Sequence, residues 1–544
     1  MMRQFLISVA LLLILIACNN KKHKVPGEKG GDGEDGEQKE YTINTSINPN
    51  NACNNLFLDS STLSDFFTND SVSDDIADQM RAFYYARNFE FAWFAPDGIT
   101  EQGREFWNLN SYEVSSLKDS SFFLKALNKR MPDITTADSM SITPGDKSII
   151  KTELMLSEAF MKFMTKDGKQ TSTDDLMKYV PAKKEDIMQS ANEVLSDQDG
   201  TQNEDAKKAF GLLKEQLKKY YDIAKKGGWQ SIAYAHKKLK KGSSSALLPL
   251  IKKRLQITGE LWQTDTTIVF NDMLDSAVKS FQAGLGYTTD GIITDSLIKD
   301  MNIPVQNRIA QLLVNINRAR WMPEYTSGRL IVANIPEYAL HVYENKQKAF
   351  DMNVVVGKEG SGTVIFTGNL TEIVFSPYWN IPPSIVRKEI KPKMDEDPGY
   401  LQKEGMEVTG ESNGLPIVRQ LPGPKNSLGR VKFLFHNSYN IYFHDTPAKN
   451  LFNKDKRAYS HGCIRLADPV KMANYLLQDN QLWTPGKIDS AMNNTKEKYV
   501  SLKNAVPVII TYYTAWVDET GRLNLRDDIY NHDAAAAAKM FTGQ

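Results

Sequence analysis

His444 and Cys463, with Tyr442 beside them, are the residues whose types and spacing could do chemistry. A thiol becomes a useful nucleophile at neutral pH when a base relieves it of its proton, and a histidine on an adjacent strand is a common solution. Ile441, Tyr442 and Phe443 read as a strand, and period-2 alternation puts Tyr442 and His444 on one of its faces. Cys463 follows a turn of small residues, Ser460-His461-Gly462, that leads into an apolar run with a helical look. Gly462 lets the backbone turn tightly, so that nearby amides can point at a developing oxyanion. The chemistry these residues fit is acyl transfer through a cysteine. A single Cys near a His is, taken alone, more often a buried inert thiol. His436, His444, His461 and Cys463 could also be drawn as metal ligands, but no Cys-x-x-Cys, His-Glu-x-x-His or His-x-Glu motif accompanies them, and no metal or cofactor is expected.

The longer pattern carries a resemblance. Ser460-His461-Gly462-Cys463-Ile464-Arg465, with His444 upstream, resembles the active-site signature of the L,D-transpeptidases, the YkuD-type catalytic domain. The run from Pro422 to Phe433 and then from Asn437 to Pro447 is similar to the large multidomain subfamily typified by YcbB. The similarity extends from about Asp275 to Asp528, and more weakly into the N-terminal half. It implies a peptidoglycan tetrapeptide stem as donor, cleaved between the D-centre of a diamino acid and terminal D-Ala. Cys463 would hold the stem as a thioester, and the side-chain amine of a second, acceptor stem would resolve it into a 3→3 crosslink.

The resemblance also distributes roles. His444 is the base, oriented by the backbone carbonyl of Asp445, whose side chain could assist. Tyr442 and the amides of Gly462 and Cys463 are oxyanion candidates, and Arg465 either positions a substrate carboxylate or braces the loop. His461 is expected to hydrogen-bond within the loop, with Ser460 beside it, and Trp379 to position substrate from a cap. Susceptibility of the thiol to carbapenems is a further expectation of the family. The same thioester could be resolved by water, giving an L,D-carboxypeptidase, or by a protein lysine, attaching a lipoprotein to the wall. A non-catalytic wall-binding lipoprotein is the reading of a different class. The intact Cys–His arrangement argues against it.

Elements to position this site must come from several domains, since 544 residues are too many for one core. The expected fold class is multidomain α+β. Apolar content of 41% and charged content of 24% are ordinary for globular protein. A formal net charge of zero argues against nucleic acid or an electrostatic grip on a membrane. Only 3 cysteines occur, so no disulfide framework is expected.

Residues 1–18 read as a signal peptide: Arg3, an apolar run from Phe5 to Ala17, then Leu15-Ile16-Ala17-Cys18, which resembles a bacterial lipobox. That resemblance implies a diacylglycerol on Cys18 and a lipid-anchored protein on the periplasmic face of the cell envelope, with other cell-wall synthesis proteins as candidate partners. An uncleaved signal anchor is the alternative. Residues 19–55 are polar and glycine-rich, with Gly27, Gly30, Gly33 and Gly36 at every third position, and read as a flexible tether. Cys53 at its end is taken as incidental, although it could trap Cys463 in a disulfide.

Residues 56–243 have the texture of amphipathic helices, and form the expected helical scaffold domain. Its aromatic stretch from Arg81 to Phe94 reads as core, and its lysine-rich stretch from Lys225 to Lys241 as a solvated helical face rather than a patch for anionic polymer. Residues 244–304 carry Ala277-Val278, Phe281-Gln282, Asp290-Gly291 and Leu297 in a pattern similar to the three-helix peptidoglycan-binding domain. In that pattern Phe281 fills a core, Gly291 needs a positive φ and Leu297 packs back. Residues 305–518 are the expected catalytic domain: a connecting helix from Arg308 to Trp321, then short β-branched strands from Arg329. Gly357 to Gly362 resembles a phosphate loop only superficially, lacking a Gly-Lys-Ser/Thr that opens a helix. Prolines from Pro377 to Pro383 interrupt the sheet, and the charged insertion of about 386–430 is expected to cap the site. Residues 519–544 read as a polar tail, with Ala534 to Ala538 a terminal helix or disordered.

Overall fold

The computed structural model describes residues 41–543 apart from 119–123, 137–139, 169–170, 197–200, 202 and 326. The signal peptide, Cys18 and the tether up to residue 40 lie outside the described residues. Among the described residues no helix is long and apolar enough to cross a membrane.

The aromatic stretch builds the core of the N-terminal domain. Helix α1 (Asp74–Ala86) ends where Asn88 and Phe89 take positive φ, and the chain turns back on itself. Phe83, Tyr84, Phe89, Phe91, Trp93 and Phe94 are all buried by that turn. Trp93 stacks on Phe106 of α2 (Glu101–Tyr112) and meets Phe160 of α3 (Lys147–Met164) edge-on. Such offset and edge-to-face pairs add roughly 0.5–1.5 kcal/mol each beyond their buried area. Polar groups buried with them are satisfied: the Glu153 carboxylate accepts from the amides of Ala92 and Trp93 and from the Tyr84 hydroxyl.

The expected tether does not extend to residue 55. Ile47 and Ala52 are buried, Ala52 pairs with Lys183, and the Asn44 amide donates to Tyr85 O at 2.9 Å. A few apolar side chains and a run of asparagines satisfied locally suffice to dock residues 41–55 on the scaffold, where composition alone reads as linker. The lysine-rich stretch also differs from expectation. Helix α4 (Glu204–Lys225) stops at Gly227 and Gly228, both at positive φ, so residues 229–241 are not a helical face. They run along the next domain instead: Trp229 lies under the Arg254 guanidinium at 3.7 Å, and Leu239 pairs with Ile293.

That next domain is a three-helix unit, α5 (Leu248–Thr258), α6 (Asp272–Gly284) and α7 (Asp295–Met301), around Ile251, Leu274, Val278, Phe281 and Leu297. Gly291 has φ of 72°, and a Cβ there would strike the Asp275 carboxylate. Helix α8 (Val305–Arg320) then packs against α4, and its Arg318, almost wholly buried, pairs with Glu101 of the scaffold and Asp533 of the tail. The tail is therefore not loose. Its helix, His532–Met540, buries Ala536 and Ala537, and Phe541 follows them into the same core.

Nine strands form one sheet: β1 (Arg329–Asn334), β2 (Ala339–Glu344), β3 (Gln347–Gly357), β4 (Phe366–Phe375), β5 (Val431–Phe435), β6 (Phe443–His444), β7 (Ala458–Ser460), β8 (Ile464–Leu466) and β9 (Lys498–Thr511). Their order is β7-β3-β8-β6-β5-β4-β9-β1-β2, and β2 also pairs with β3, which curls the sheet on itself. Alternation fills the inside, as in β5, where Val431, Phe433 and Phe435 are buried between half-exposed neighbours. The apolar run after Cys463 is strand β8, not helix. Ile464 and Leu466 point into the core on either side of Arg465, and α9 (Pro469–Leu477) starts only where Asp468 caps it.

The insertion is a small domain with its own three-stranded sheet (Trp379–Asn380, Leu415–Gln420, Met406–Ser412) and a core of Ile381, Val386, Ile390 and Val418. It opens at Trp379, earlier than the boundary at 386. The prolines that leave the large sheet are the entry to a second one.

Candidate active site

Strand register brings the catalytic candidates together. Strand β6 runs parallel to β8, with Phe443 beside Ile464 and His444 beside Arg465. One step back on each strand stand Tyr442 and Cys463. The Tyr442 and His444 rings share a face, with centroids 5.8 Å apart, as alternation requires.

His444 is buried, and its Nδ1 hydrogen-bonds the Asp445 carbonyl. A carbonyl can only accept, so Nδ1 bears the hydrogen and Nε2 the lone pair. Burial, reinforced by the Arg465 charge, holds the imidazole down to about 3, leaving it a neutral base at physiological pH. The Asp445 carboxylate makes no hydrogen bond to the imidazole among the described residues, and its charge opposes the effect of burial on the ring. It accepts from the amides of Arg430 and Thr446 and pairs with Lys449 at 2.6 Å, tying the β6 end to the neck of the inserted domain.

Cys463 is half-buried, and its Sγ lies 3.6 Å from the Asn440 carbonyl. Burial pushes the thiol up to about 11, against hydrogen bonds from Tyr442 and the charge of Arg465, which pull it down. The resting pair is thus a thiol and a neutral imidazole. The Arg465 guanidinium has its Nε buried without a partner among the described residues.

The turn before Cys463 is braced from inside. Ser460 Oγ donates to Cys463 O and accepts from the Gly462 amide at 3.2 Å. That amide is therefore committed to the turn rather than offered to an oxyanion, while the Cys463 amide takes no described partner. Gly462 has φ of 115°, and its carbonyl accepts from Thr363 Oγ1 at 2.8 Å. His461 does not bond within the loop. Its Nε2 meets Glu389 Oε1 at 3.0 Å, and Glu389 belongs to the inserted domain, in the π-helical turn Val386–Ile390. Trp379 packs against the inserted domain's own core and pairs with Gln420 in its sheet.

Residues 328–510, which hold this Cys–His pair, match the model of the L,D-transpeptidase catalytic domain (YkuD), and residues 78–225 match that of a scaffold domain. The chain carries an L,D-transpeptidase catalytic domain. A Haemophilus influenzae protein provisionally named an L,D-transpeptidase is 30% identical over 243 residues, which are 42% of this chain and 49% of that protein. The chain thus spans about half the length of the curated relative it matches. An L,D-transpeptidase from Mycobacterium smegmatis overlaps 34% of this chain and 59% of its own at 15% identity and a TM-score of 0.20. For residues 123–326 of the Xylanimonas cellulosilytica L,D-transpeptidase the figures are 51% and 99%, at 14% identity and a TM-score of 0.17. Overlaps this slight carry no argument.

The L,D-transpeptidase domain does not stand alone around its turn. A cleft of about 580 Å³ runs along it, with Arg104 and Thr135 of the scaffold on one wall, Tyr530 and His532 of the tail on another, and His461 and Gly462 at its floor. Sequence reasoning missed Thr363, Glu389, Asn440 and Tyr530. Thr363 follows the loop that only superficially resembles a phosphate site; its hydroxyl and the Tyr530 hydroxyl, which donates to Gly357 O, are what hold that loop beneath the turn. Asn440 carries the one local signal, since a positive φ (55°) is tolerated by asparagine and sets its carbonyl toward Cys463.

Proposed function

We propose that the protein is a peptidoglycan L,D-transpeptidase acting through Cys463, with His444 as its base. The observation that carries this is a buried histidine, its Nδ1 on the Asp445 carbonyl, on the strand beside a half-open thiol in a matching catalytic domain. On substrate binding Sγ turns from the Asn440 carbonyl toward His444, which takes its proton as sulfur attacks the donor carbonyl. The C–N bond to D-Ala breaks, and the histidine returns the proton to the departing amine. The stem is then a thioester on Cys463. The acceptor's side-chain amine attacks it, gives up a proton through His444 to the leaving thiolate, and forms the 3→3 bond. The Cys463 amide and the Tyr442 hydroxyl are the donors this reading assigns to the tetrahedral oxyanion, and Arg465 supplies the nearby positive charge.

Water or a protein lysine could replace the acceptor amine at the same thioester. Mass spectrometry of wall fragments from cells with and without the enzyme separates these: 3→3 dimers support the transpeptidase, tripeptides alone the carboxypeptidase, protein-linked stems the attachment reaction. We place the enzyme in the cell envelope through a lipid on Cys18. Replacing Cys18 by serine should release it from the membrane fraction or stall its processing; normal maturation with retention in the membrane would rule the anchor out.

A further inference from the structure

The turn that carries Cys463 is held partly from outside the matched catalytic domain. Tyr530 lies beyond residue 510, where that match ends. Its hydroxyl accepts from the Thr363 amide at 3.2 Å and donates to the Gly357 carbonyl, closing the loop of residues 357–363. Thr363 Oγ1 in turn accepts from the Gly357 amide at 2.9 Å and donates to the Gly462 carbonyl at 2.8 Å. Each hydroxyl gives one hydrogen bond and takes one, and the relay ends on the peptide unit that joins Gly462 to Cys463. We infer that Tyr530, acting through Thr363, is a positioning residue for acyl transfer: the relay fixes that peptide so that the Cys463 amide faces the tetrahedral oxyanion. This rests on the proposed reading of the amide as an oxyanion donor, and adds what directs it.

Planarity makes the connection. The C=O and N–H of a trans peptide point in opposite directions, so a Gly462 carbonyl held on Thr363 sets the Cys463 N–H the other way. The turn's own brace does not do this. Ser460 Oγ binds the Gly462 amide and the Cys463 carbonyl, which belong to the peptide units on either side. Gly462 has φ of 115° and no Cβ, and it would let the peptide between them rotate. A donor already directed at the developing charge needs no reorganisation as the charge forms, and such donors are where much of the rate of acyl transfer comes from.

Tyr530 is itself fixed. Its amide donates to the Tyr512 hydroxyl at 2.8 Å, their rings stack with centroids 5.7 Å apart, and Tyr512 donates to Asp528 at 2.8 Å. A Cβ on Gly362 would come within 3.2 Å of the Tyr530 ring, so the loop lies directly against it. Asp533, three residues on, ties the same tail to Arg318.

The test uses the purified full chain, a synthetic tetrapeptide stem as donor, and the variants Thr363→Val, Thr363→Ser and Tyr530→Phe. D-Ala release passes through the oxyanion. Alkylation of Cys463 by iodoacetamide expels iodide and forms no oxyanion, so the two reactions separate the direction of the amide from the state of the thiol. Thr363→Val should lower kcat for D-Ala release about a hundredfold, as loss of one oxyanion donor does, and Tyr530→Phe, one bond further away, about tenfold. In both, KM and iodoacetamide labelling should stay within about twofold of wild type, because only the transition state has lost a contact. Thr363→Ser keeps the hydroxyl and should restore kcat to within about twofold of wild type. An unchanged kcat in either Thr363→Val or Tyr530→Phe overturns the inference. So does a fall matched by iodoacetamide or carried by KM, since the whole turn has then moved, and so does a Thr363→Ser as slow as Thr363→Val. If Thr363→Val does not fold, Tyr530→Phe, which keeps its ring against Gly362, decides by its own pair of rates. All of these outcomes leave the transpeptidase proposal standing as long as wild type releases D-Ala. Wild type that releases none would sink that proposal, and this inference with it.

Discussion

Cys53 and Cys463 are both free, both half-buried, and both pushed up by burial, yet only one of them is placed to react. Cys53 sits on the scaffold, its amide bonded to Ala182 O, beside a small cavity shared with Arg87 and Glu90. Charges there oppose one another, Glu90 and Glu185 pushing the thiol higher and Arg87 and Lys184 pulling it down, and no histidine acts on it among the described residues. Around Cys463 the neighbours work one way: Tyr442 and Arg465 pull the thiol down, and a neutral imidazole lies on the adjacent strand. Depth in the protein is shared by the two sites. What differs is that carboxylates oppose the cations around Cys53 and none acts on Cys463, which also has a base on the adjacent strand, and these separate a nucleophile from a buried sulfur.

The sharpest way to break the comparison is to remove each thiol in turn. Cys463→Ala should lower crosslinking by at least about a thousandfold, since no other group can carry the acyl chain, while Cys53→Ala should leave the rate unchanged. Residual activity in the first or a large loss in the second, read as crosslinked dimers, would erase the distinction.

Removing the base comes next. His444→Ala should slow D-Ala release by about 10²–10⁴, the usual contribution of a positioned general base. The pH dependence has a sign of its own. With the imidazole at about 3 and the thiol at about 11, both groups are neutral between those limits, and the thiolate fraction grows about tenfold for each pH unit. Iodoacetamide labelling of wild type should therefore keep climbing from about pH 6 to pH 9. A flat profile across that interval would mean a preformed thiolate–imidazolium pair.

These residues were legible because Ser460, His461, Gly462, Cys463 and Arg465 form a local pattern with His444 nearby in sequence. Strand alternation likewise placed Tyr442 and His444 on a shared face. The braces were not legible: Thr363 meets Gly462 and Tyr530 meets Gly357 across long stretches of chain, and no spacing rule encodes a contact of that kind. Ile464 to Leu466 misled because three apolar-polar-apolar residues fit a helix or a strand equally well until pairing with β3 and β6 decides. The alanine-rich tail leaves helix and disorder both open in the sequence, and the structure shows the helix. Alanine has little surface to declare, and the terminal helix is held by Asp533 on Arg318 and by Phe541 more than by its own alanines.

Smaller effects sharpen the contrast between the two thiols. Arg465 lowers both Cys463 and His444, so Arg465→Met should raise both and cut the thiolate fraction. Labelling by iodoacetamide at about pH 8 should fall roughly tenfold, as it would if the thiol ionised about one pH unit higher. An unchanged rate would show that the guanidinium only braces the loop. The smallest effect belongs to Glu389→Gln, which weakens the partly exposed bond to His461 at 3.0 Å. Pairs this exposed are worth about 0.2–1 kcal/mol, so crosslinking should drop only a few-fold, with iodoacetamide labelling unchanged. A loss as large as that of His444→Ala would make His461 part of the proton path.

The most direct measurement is the intact mass of the enzyme quenched in acid after brief exposure to a tetrapeptide stem without acceptor. Acyl transfer through Cys463 requires a mass gain equal to the tripeptide acyl group, mapping to that residue, with one D-Ala released per enzyme, and no adduct in Cys463→Ala. D-Ala release from the Cys463→Ala protein, or an adduct on any other residue, would contradict it.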